Sequence, residues 1–116
     1  MPTVLIVDDH PSALACAREL LEADGFLVVG EASDGAEAIR AAHRLRPDVV
    51  VVDVQLPDMT GFEVTQRLMG NGSSPAVVLV SSREAADYGP LIAESGARGF
   101  IAKDELSGAT VRALLS

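Results

Sequence analysis

The stretch "VLIVDDHP", residues 4–11, passes from an unbroken apolar run directly into two adjacent aspartates, Asp8 and Asp9. Four apolar residues without polar alternation are typical of a strand buried on both faces of a sheet. Similar short runs recur along the chain and predict five buried strands in all. They lie at residues 4–7, 26–29, 49–52, 77–80 and 99–102.

Segments with the apolar spacing of helices separate the predicted strands. Three of them carry clear stripes, at Leu14, Ala17 and Leu21, at Ala38, Ile39, Ala42 and Leu45, and at Val111, Leu114 and Leu115. Alternating strands and helices indicate an α/β fold with a mostly parallel sheet, right-handed crossovers and helices on both faces. A length of 116 residues suits one domain, residues 1–116.

Capping residues mark the expected helix starts. Asp34 with Glu37, and Thr60 with Glu63, have capping-box spacing and predict the starts of helices two and three. Pro11 suits the first turn of helix one. A backbone N–H in that turn would have no helical acceptor, so proline loses no hydrogen bond by lacking one.

Proline and glycine mark the expected helix ends. "RPD" at residues 46–48 and "NGSSP" at residues 71–75 predict the ends of helices two and three. Gly89 and Pro90 interrupt the fourth helical segment, so we expect its regular helix to begin near Pro90. Residues 84–89 would then form a mobile lead-in.

Composition excludes several classes of function. A formal charge of -8 argues against a nucleic-acid-binding or acidic-membrane-binding surface, which would need clustered Lys and Arg. The lone Cys16 lies among apolar residues and is expected to be a small buried side chain. No secretion signal or membrane-spanning run is recognisable, so a cytoplasmic location is the expectation.

Polar residues follow four of the predicted strands. They are Asp8, Asp9, Asp53, Ser81, Ser82 and Lys103. Ligands of open α/β sheets bind at the carboxyl ends of the strands, and ionisable groups gathered in such a cleft indicate a functional site. Lys103 is the only lysine of the chain.

The three carboxylates call for a cation. Two carboxylates about 4 Å apart repel by roughly 4 kcal/mol at an effective dielectric constant near 20. An oxygen ligand set favours Mg²⁺, which keeps water or phosphate oxygens among its ligands, and His10 is interpreted as a loop residue. The sequence contains neither G-x-G-x-x-G after its first strand nor a P-loop, so a nucleotide cradle is not indicated. An aspartate beside Mg²⁺, a hydroxyl and an ammonium group can accept a phosphoryl group.

Four segments together resemble the receiver domain of bacterial two-component response regulators. They are "VLIVDDHP", "PDVVVVDVQLPDMTG", "VVLVSS" and "GARGFIAK", in the order and spacing of that family. The resemblance implies a flavodoxin-like (βα)5 fold with a doubly wound parallel sheet of strand order 2-1-3-4-5. "DDHP" and the "KD" after the last strand look most like the NarL/LuxR-type subgroup, whose receivers often precede a helix-turn-helix domain.

The same resemblance implies a role for each residue of the metal site. Asp53 would be the phosphoacceptor. Asp9 would bind Mg²⁺ directly and Asp8 largely through a water, with Mn²⁺ as an alternative metal. The backbone carbonyl of Gln55 would be a further metal ligand, and Gln55 and Arg83 would tune dephosphorylation.

Other positions match the family's switch. Lys103 and Ser81 would bind phosphoryl oxygens, and Phe100 would turn inward when the Ser81 hydroxyl moves toward the phosphate. Pro57 and Gly61 match the loop after the acceptor. Two positions depart from the family pattern. Asp104 stands where the family often has proline, preceded by a cis peptide bond, and Ser81 stands where threonine is common.

The resemblance also implies partners. A sensor histidine kinase or a phosphotransfer protein would supply the phosphate, and the surface of helix four, strand five and helix five would pass the signal to an output domain or to a second copy in a homodimer. The chain would be a stand-alone receiver or an excised module. It would not be a dedicated enzyme, although it would slowly hydrolyse its own aspartyl phosphate.

Two other functions remain open at this point. An Asp-nucleophile phosphatase would use the same carboxylate and Mg²⁺, but Gln55 stands where such enzymes usually place a second acidic residue. A receiver-like module that binds a partner without phosphorylation would not need the full set of site residues.

Overall fold

The computed structural model describes residues 1–69 and 74–116. Five strands in this part of the chain form one parallel sheet of order β2-β1-β3-β4-β5. The strands are β1 (Thr3–Val7), β2 (Leu27–Ala32), β3 (Val49–Asp53), β4 (Ala76–Ser81) and β5 (Gly99–Ala102). The predicted flavodoxin-like α/β class and its strand order are confirmed.

Helices cover both faces of the sheet. They are α1 (Pro11–Ala23), α2 (Gly35–Leu45), α3 (Gly61–Leu68), α4 (Leu91–Glu94) and α5 (Gly108–Leu115), with short 3₁₀ helices at Ala85–Tyr88 and Lys103–Glu105. Successive strand residues point to opposite faces. Leu5 therefore packs with the cluster that includes α2 and α3, while Val4 packs with the one that includes α1 and α5. Burial of each such side chain stabilises the fold by about 1.5–3 kcal/mol.

Burial distinguishes the interior strands from the edge strands. Each of β1, β3 and β4 is buried over almost its whole length. The prediction that all five strands are buried on both faces is wrong for β2 and β5, because these are the edge strands. Leu27 in β2, for example, is 45% exposed.

The predicted helix starts are confirmed. The Asp34 carboxylate accepts a hydrogen bond from the N–H of Glu37 at 2.7 Å, and the Thr60 hydroxyl accepts one from the N–H of Glu63 at 3.2 Å. Pro11 is the first residue of α1. Each capped helix places the preceding loop at the carboxyl edge of the sheet.

The helix ends also follow the predicted signals where they can be compared. Helix α2 ends at Leu45, and Arg46 adopts a left-handed backbone with φ 46°. Helix α3 ends at Leu68, whereas residues 71–73 of the predicted stop signal lie outside the described residues. Pro90 caps α4 as expected, and the predicted lead-in contains the 3₁₀ helix that ends at Tyr88.

The expectation that Cys16 is buried is wrong. Its side chain is exposed, while Ala17 and Leu21 carry the buried stripe of α1. A helical residue is rotated by about 100° from the next. This rotation is enough to turn Cys16 away from the sheet although its sequence neighbours are apolar.

Candidate functional site at the carboxyl edge of the sheet

The predicted polar residues converge at the carboxyl edge of the sheet. Asp8 directly follows β1, and Asp53 is the last residue of the adjacent β3. Ser81 ends β4 and Lys103 follows β5, so the set spans four neighbouring strands. Interior strands position the two aspartates, and both are buried.

Lys103 bridges these two buried carboxylates. Its Nζ lies 2.7 Å from Oδ2 of Asp8 and 3.1 Å from Oδ2 of Asp53. The lysine side chain itself is 26% exposed. Burial opposes the charge on Lys103, but the hydrogen bond that it donates to Asp8 and the negative charge of Asp53 prevail and raise its pKa. The ammonium group therefore stays charged.

The two bridged carboxylates have opposite pKa shifts. Burial favours the neutral acid at Asp8, yet hydrogen bonds from Lys103 and from the N–H of His10 outweigh it and lower the pKa. Burial dominates at Asp53 and raises the pKa, against the weaker effects of Lys103 and the N–H of Gln55. Asp8 is thus a stabilised anion and Asp53 a destabilised one.

Asp9 and His10 complete a cluster on the exposed side of the site. One ligand atom from each of Asp8, Asp9, His10 and Asp53 lies within 4.8 Å of the others. The carboxylate oxygens fit a hard cation such as Mg²⁺, because they converge and the Asp9 side chain that bears one of them is 35% exposed.

His10 takes part in this cluster, which its interpretation as a loop residue did not anticipate. Its Nδ1 lies 3.0 Å from Oδ1 of Asp8 and 3.1 Å from Oδ1 of Asp9, and the ring is 64% exposed. The sequence feature that could have predicted this contact is the position of His10 directly after Asp8 and Asp9. An imidazole so placed interacts with both carboxylates from the solvent side.

The loop after Asp53 is held close to the site. The N–H of Gln55 donates to Oδ1 of Asp53 at 3.2 Å, and the N–H of Gly61 donates to the carbonyl of Val54 at 2.7 Å. A Cβ on Gly61 would lie 2.6 Å from the backbone oxygen of Asp53. Glycine is therefore required for this close approach of helix α3 to the strand end.

Ser81 is oriented by the segment that follows it. Its Oγ lies 2.7 Å from the Tyr88 hydroxyl and accepts a hydrogen bond from the N–H of Arg83 at 3.1 Å. Phe100 is half-buried, and its ring lies 5.8 Å from the ring of Tyr88. The sequence reasoning missed Tyr88, because residues 84–89 show no periodicity that would indicate which way its side chain points.

The side chains of Gln55 and Arg83 are exposed near the site, and the structure assigns no role to either. The departure at Asp104 has a visible structural outcome. No described peptide bond is cis, so the bond after Lys103 is trans. The chain there forms the 3₁₀ helix Lys103–Glu105, and the N–H of Leu106 donates to the carbonyl of Lys103 at 3.4 Å.

Within residues 1–69 and 74–116, no helix combines the length and the apolar composition that crossing a membrane requires.

Comparison with known proteins gives a consistent result. The family model described as the response regulator receiver domain matches residues 4–114. A putative transcriptional regulator of Pseudomonas aeruginosa is 40% identical over 105 residues, which cover 90% of this chain and 51% of that protein. The DNA-binding transcriptional activator EvgA of Escherichia coli K12 is 35% identical, covering 87% of this chain and 50% of EvgA.

A solved structure agrees with these sequence relatives. The signal receiver domain of the putative response regulator NarL from Mycobacterium tuberculosis superposes with a TM-score of 0.89 at 29% identity. The match covers 99% of this chain and 97% of the NarL domain. The chain spans about half of the length of the curated transcription regulators it matches.

Proposed function

The chain belongs to the response regulator receiver domain family of two-component signalling, and from this membership we propose that Asp53 is its phosphoacceptor. The donor would be a histidine kinase or a phosphotransfer protein. One carboxylate oxygen of Asp53 would attack the phosphorus atom of a phosphohistidine. The new O–P bond would replace the N–P bond, and the released imidazole would take up a proton.

The position of Asp53 carries this proposal, because this buried carboxylate at a strand end lies 3.1 Å from the Lys103 ammonium and beside Asp8 and Asp9. The opposite pKa shifts of Asp8 and Asp53 support it. Pairs of titratable groups whose environments separate their pKa values indicate a division of chemical roles. Asp8 is stabilised as an anion and suits permanent binding of cations. Asp53 bears a charge that its burial disfavours. Phosphorylation would convert its carboxylate into a mixed anhydride with more negative charge, which Lys103 and a bound cation would offset.

The acidic cluster supports a metal requirement. Receiver domains bind Mg²⁺ through acidic residues, and we propose that Asp8, Asp9, Asp53 and the backbone carbonyl of Gln55 hold Mg²⁺ or Mn²⁺ here. The bound ion would supply positive charge that offsets the phosphoryl oxygens. Because Asp8 already pairs with Lys103, the more exposed Asp9 is the carboxylate freer to bind the metal directly.

Lys103 and Ser81 would contact the phosphoryl oxygens. The Lys103 ammonium already lies at hydrogen-bonding distance from Asp53, and Ser81 ends the strand adjacent to the one that bears Asp53. Movement of the Ser81 hydroxyl would draw Phe100 inward. The exposed side chains of Gln55 and Arg83 would affect the approach of the hydrolytic water.

The output would leave through the surface formed by α4, β5 and α5, toward a second copy or a further domain. We propose that residues 1–116 act as one receiver domain in the cytoplasm, where a histidine kinase would find it. EvgA is a DNA-binding activator about twice as long as the matched segment, so transcription regulation is the proposed context. With a charge of -8, this chain would leave DNA contact to another segment.

A small-molecule phosphodonor with Mg²⁺, followed by intact-mass measurement, tests the proposal. Wild type should gain one phosphoryl group, and Asp53→Asn should gain none. Asp58→Asn is the matched control, because Asp58 lies in the loop after β3 but binds the N–H groups of Gly35 and Ala36 instead.

The proposal also states that the chain is not a dedicated enzyme and only hydrolyses its own aspartyl phosphate. Sustained turnover of unrelated phosphoesters would overturn this and favour a phosphatase. If wild type formed no phosphoryl adduct, the proposal would be overturned in favour of a receiver-like module that binds partners without phosphorylation.

A further inference from the structure

We propose that Tyr88 is a positioning residue that holds the Ser81 hydroxyl in its resting place and couples its movement to Phe100. The inference rests on the proposed function, because it assumes that Ser81 binds a phosphoryl group on Asp53. The observation that carries it is the 2.7 Å contact between Ser81 Oγ and the Tyr88 hydroxyl.

The hydrogen-bonding capacity of Ser81 makes this contact consequential. A serine hydroxyl has one proton to donate and two lone pairs that accept. Among the described residues, its partners are the Tyr88 hydroxyl and the N–H of Arg83, and neither is Asp53. Ser81 is buried, so leaving these partners without new ones would be costly.

A phosphoryl oxygen changes this balance, because it can only accept. Ser81 must then give it the single proton and turn its oxygen toward Asp53. Any bond in which Ser81 donates to Tyr88 is then lost, and a bond in which Tyr88 donates is lost when rotation about the Cα–Cβ bond carries the Ser81 oxygen away from the Tyr88 hydroxyl. The resting contact therefore opposes the movement that phosphate binding requires.

The ring of Tyr88 extends this coupling to the proposed switch aromatic. It packs edge-on against Phe62, with ring centroids 5.5 Å apart at 72°, and at a tilt against Phe100, with centroids 5.8 Å apart. Aromatic pairs at such distances attract by more than their buried area alone. Release of the Tyr88 hydroxyl thus frees a ring that contacts Phe100 directly.

The backbone around Tyr88 allows such a movement. Tyr88 ends a four-residue 3₁₀ helix with no buried residues, and Gly89 follows with φ 56° and open space around it. Segments with few buried contacts open at low free-energy cost. Tyr88 is accordingly held by its hydroxyl and its ring rather than by the packing of its own helix.

A double-mutant cycle tests whether Tyr88 acts through Ser81. The probe is trifluoroberyllate with Mg²⁺, a phosphoryl mimic, and calorimetry would measure its affinity for wild type, Tyr88→Phe, Ser81→Ala and the double variant. Loss of one net hydrogen bond in the resting state should tighten binding to Tyr88→Phe by roughly 2- to 10-fold. The same substitution should have no effect in the Ser81→Ala background.

Three outcomes would count against the proposal. Unchanged affinity of Tyr88→Phe overturns it, and an equal effect in both backgrounds shows that Tyr88 acts by packing alone. Failure of wild type to bind the mimic overturns the proposed function and this inference with it. Binding by wild type without an effect of Tyr88→Phe overturns only the inference.

The chain provides an independent measurement that needs no variant at Tyr88. Tyr88 is its only tyrosine, and it has no tryptophan, so its intrinsic emission reports on this one ring. Titration of wild type with trifluoroberyllate and Mg²⁺ should change the emission with the midpoint found by calorimetry. The change should disappear in Ser81→Ala, and a flat wild-type signal during measured binding contradicts the coupling.

Discussion

The charge on Asp53 should destabilise the folded chain at neutral pH, so Asp53→Asn should stabilise it when divalent metal is absent. At 4.8 Å, the upper limit for the separation of the cluster's ligand atoms, and at an effective dielectric constant near 20, repulsion between two carboxylates is about 3.5 kcal/mol. Asp8 and Asp9 both contribute, while attraction to Lys103 at 3.1 Å is about 5 kcal/mol. Water weakens the repulsion between the partly exposed Asp9 and Asp53, whereas burial further destabilises the charged form of Asp53.

Taken together, these effects predict a gain of about 1–2 kcal/mol for Asp53→Asn near pH 7. For a chain of this length, this corresponds to roughly 4–8 °C in the midpoint of thermal unfolding. Asparagine keeps an oxygen that can accept the hydrogen bond from Lys103. The variant therefore loses the charge without losing that contact.

The pH dependence follows from the raised pKa of Asp53. Between the ordinary carboxyl pKa and the higher folded-state value, the folded chain binds more protons than the unfolded chain, so this group lowers stability as pH rises. The advantage of Asp53→Asn should be absent near pH 3 and complete above the folded-state pKa. Thermal unfolding of both proteins in chelator from pH 3 to pH 7.5 measures this difference.

Asp58→Asn should show the opposite sign. Hydrogen bonds from the N–H groups of Gly35 and Ala36 lower the pKa of Asp58, so its charge stabilises the fold above the ordinary carboxyl pKa. This variant should be less stable than wild type at pH 7, with the deficit shrinking as pH falls through the folded-state value. Equal or lower stability of Asp53→Asn at pH 7, or an advantage that persists at pH 3, would refute the reasoning.

Three further predictions test single features of the site and the fold. Asp9→Ala should weaken Mg²⁺ binding more than Asp8→Ala does, because Lys103 already engages Asp8, and equal losses on titration would contradict this division. Gly61→Ala should lower the free energy of unfolding by about 1–3 kcal/mol, since its Cβ would overlap the backbone of β3, and an unchanged denaturant midpoint would exclude that contact. Arg46→Gly should raise the same free energy by up to about 1 kcal/mol by relieving a left-handed backbone, whereas a loss would show that the Arg46 side chain matters more.

The sequence predicted the architecture because apolar runs and helical spacing are local signals. Residues 49–52 are uniformly apolar and become the fully buried β3, and the polar residues after the strands meet at one edge by topology alone. For this reason the sequence alone predicts that Asp8, Asp53 and Lys103 lie together. The sequence did not predict whether the peptide bond after Lys103 is cis or trans, since local preference and the tertiary structure compete there.

Features that depend on three-dimensional context escaped the sequence. Partial burial of β2 and β5 follows from the order of strands, which no single run reveals. Exposure of Cys16 depends on the rotation of α1 about its axis. Because its neighbours in the sequence are also apolar, the pattern does not show which of these residues faces the sheet. The contact of Tyr88 with Ser81 joins a strand end to an aperiodic 3₁₀ segment seven residues later.

The distribution of packing across the site separates chemistry from response. Asp8 directly follows the interior strand β1, and Asp53 ends the interior strand β3. Both strands are buried on both faces, so the spacing of the two aspartates can change little without disturbing the core. Tyr88 and Phe100 stand on a 3₁₀ helix without buried residues and on an edge strand. Local opening is least costly where buried contacts are few. The proposed phosphorylation of Asp53 would therefore act between two aspartates fixed by the core and an aromatic pair on segments with few buried residues, which is the arrangement that the proposed switch requires.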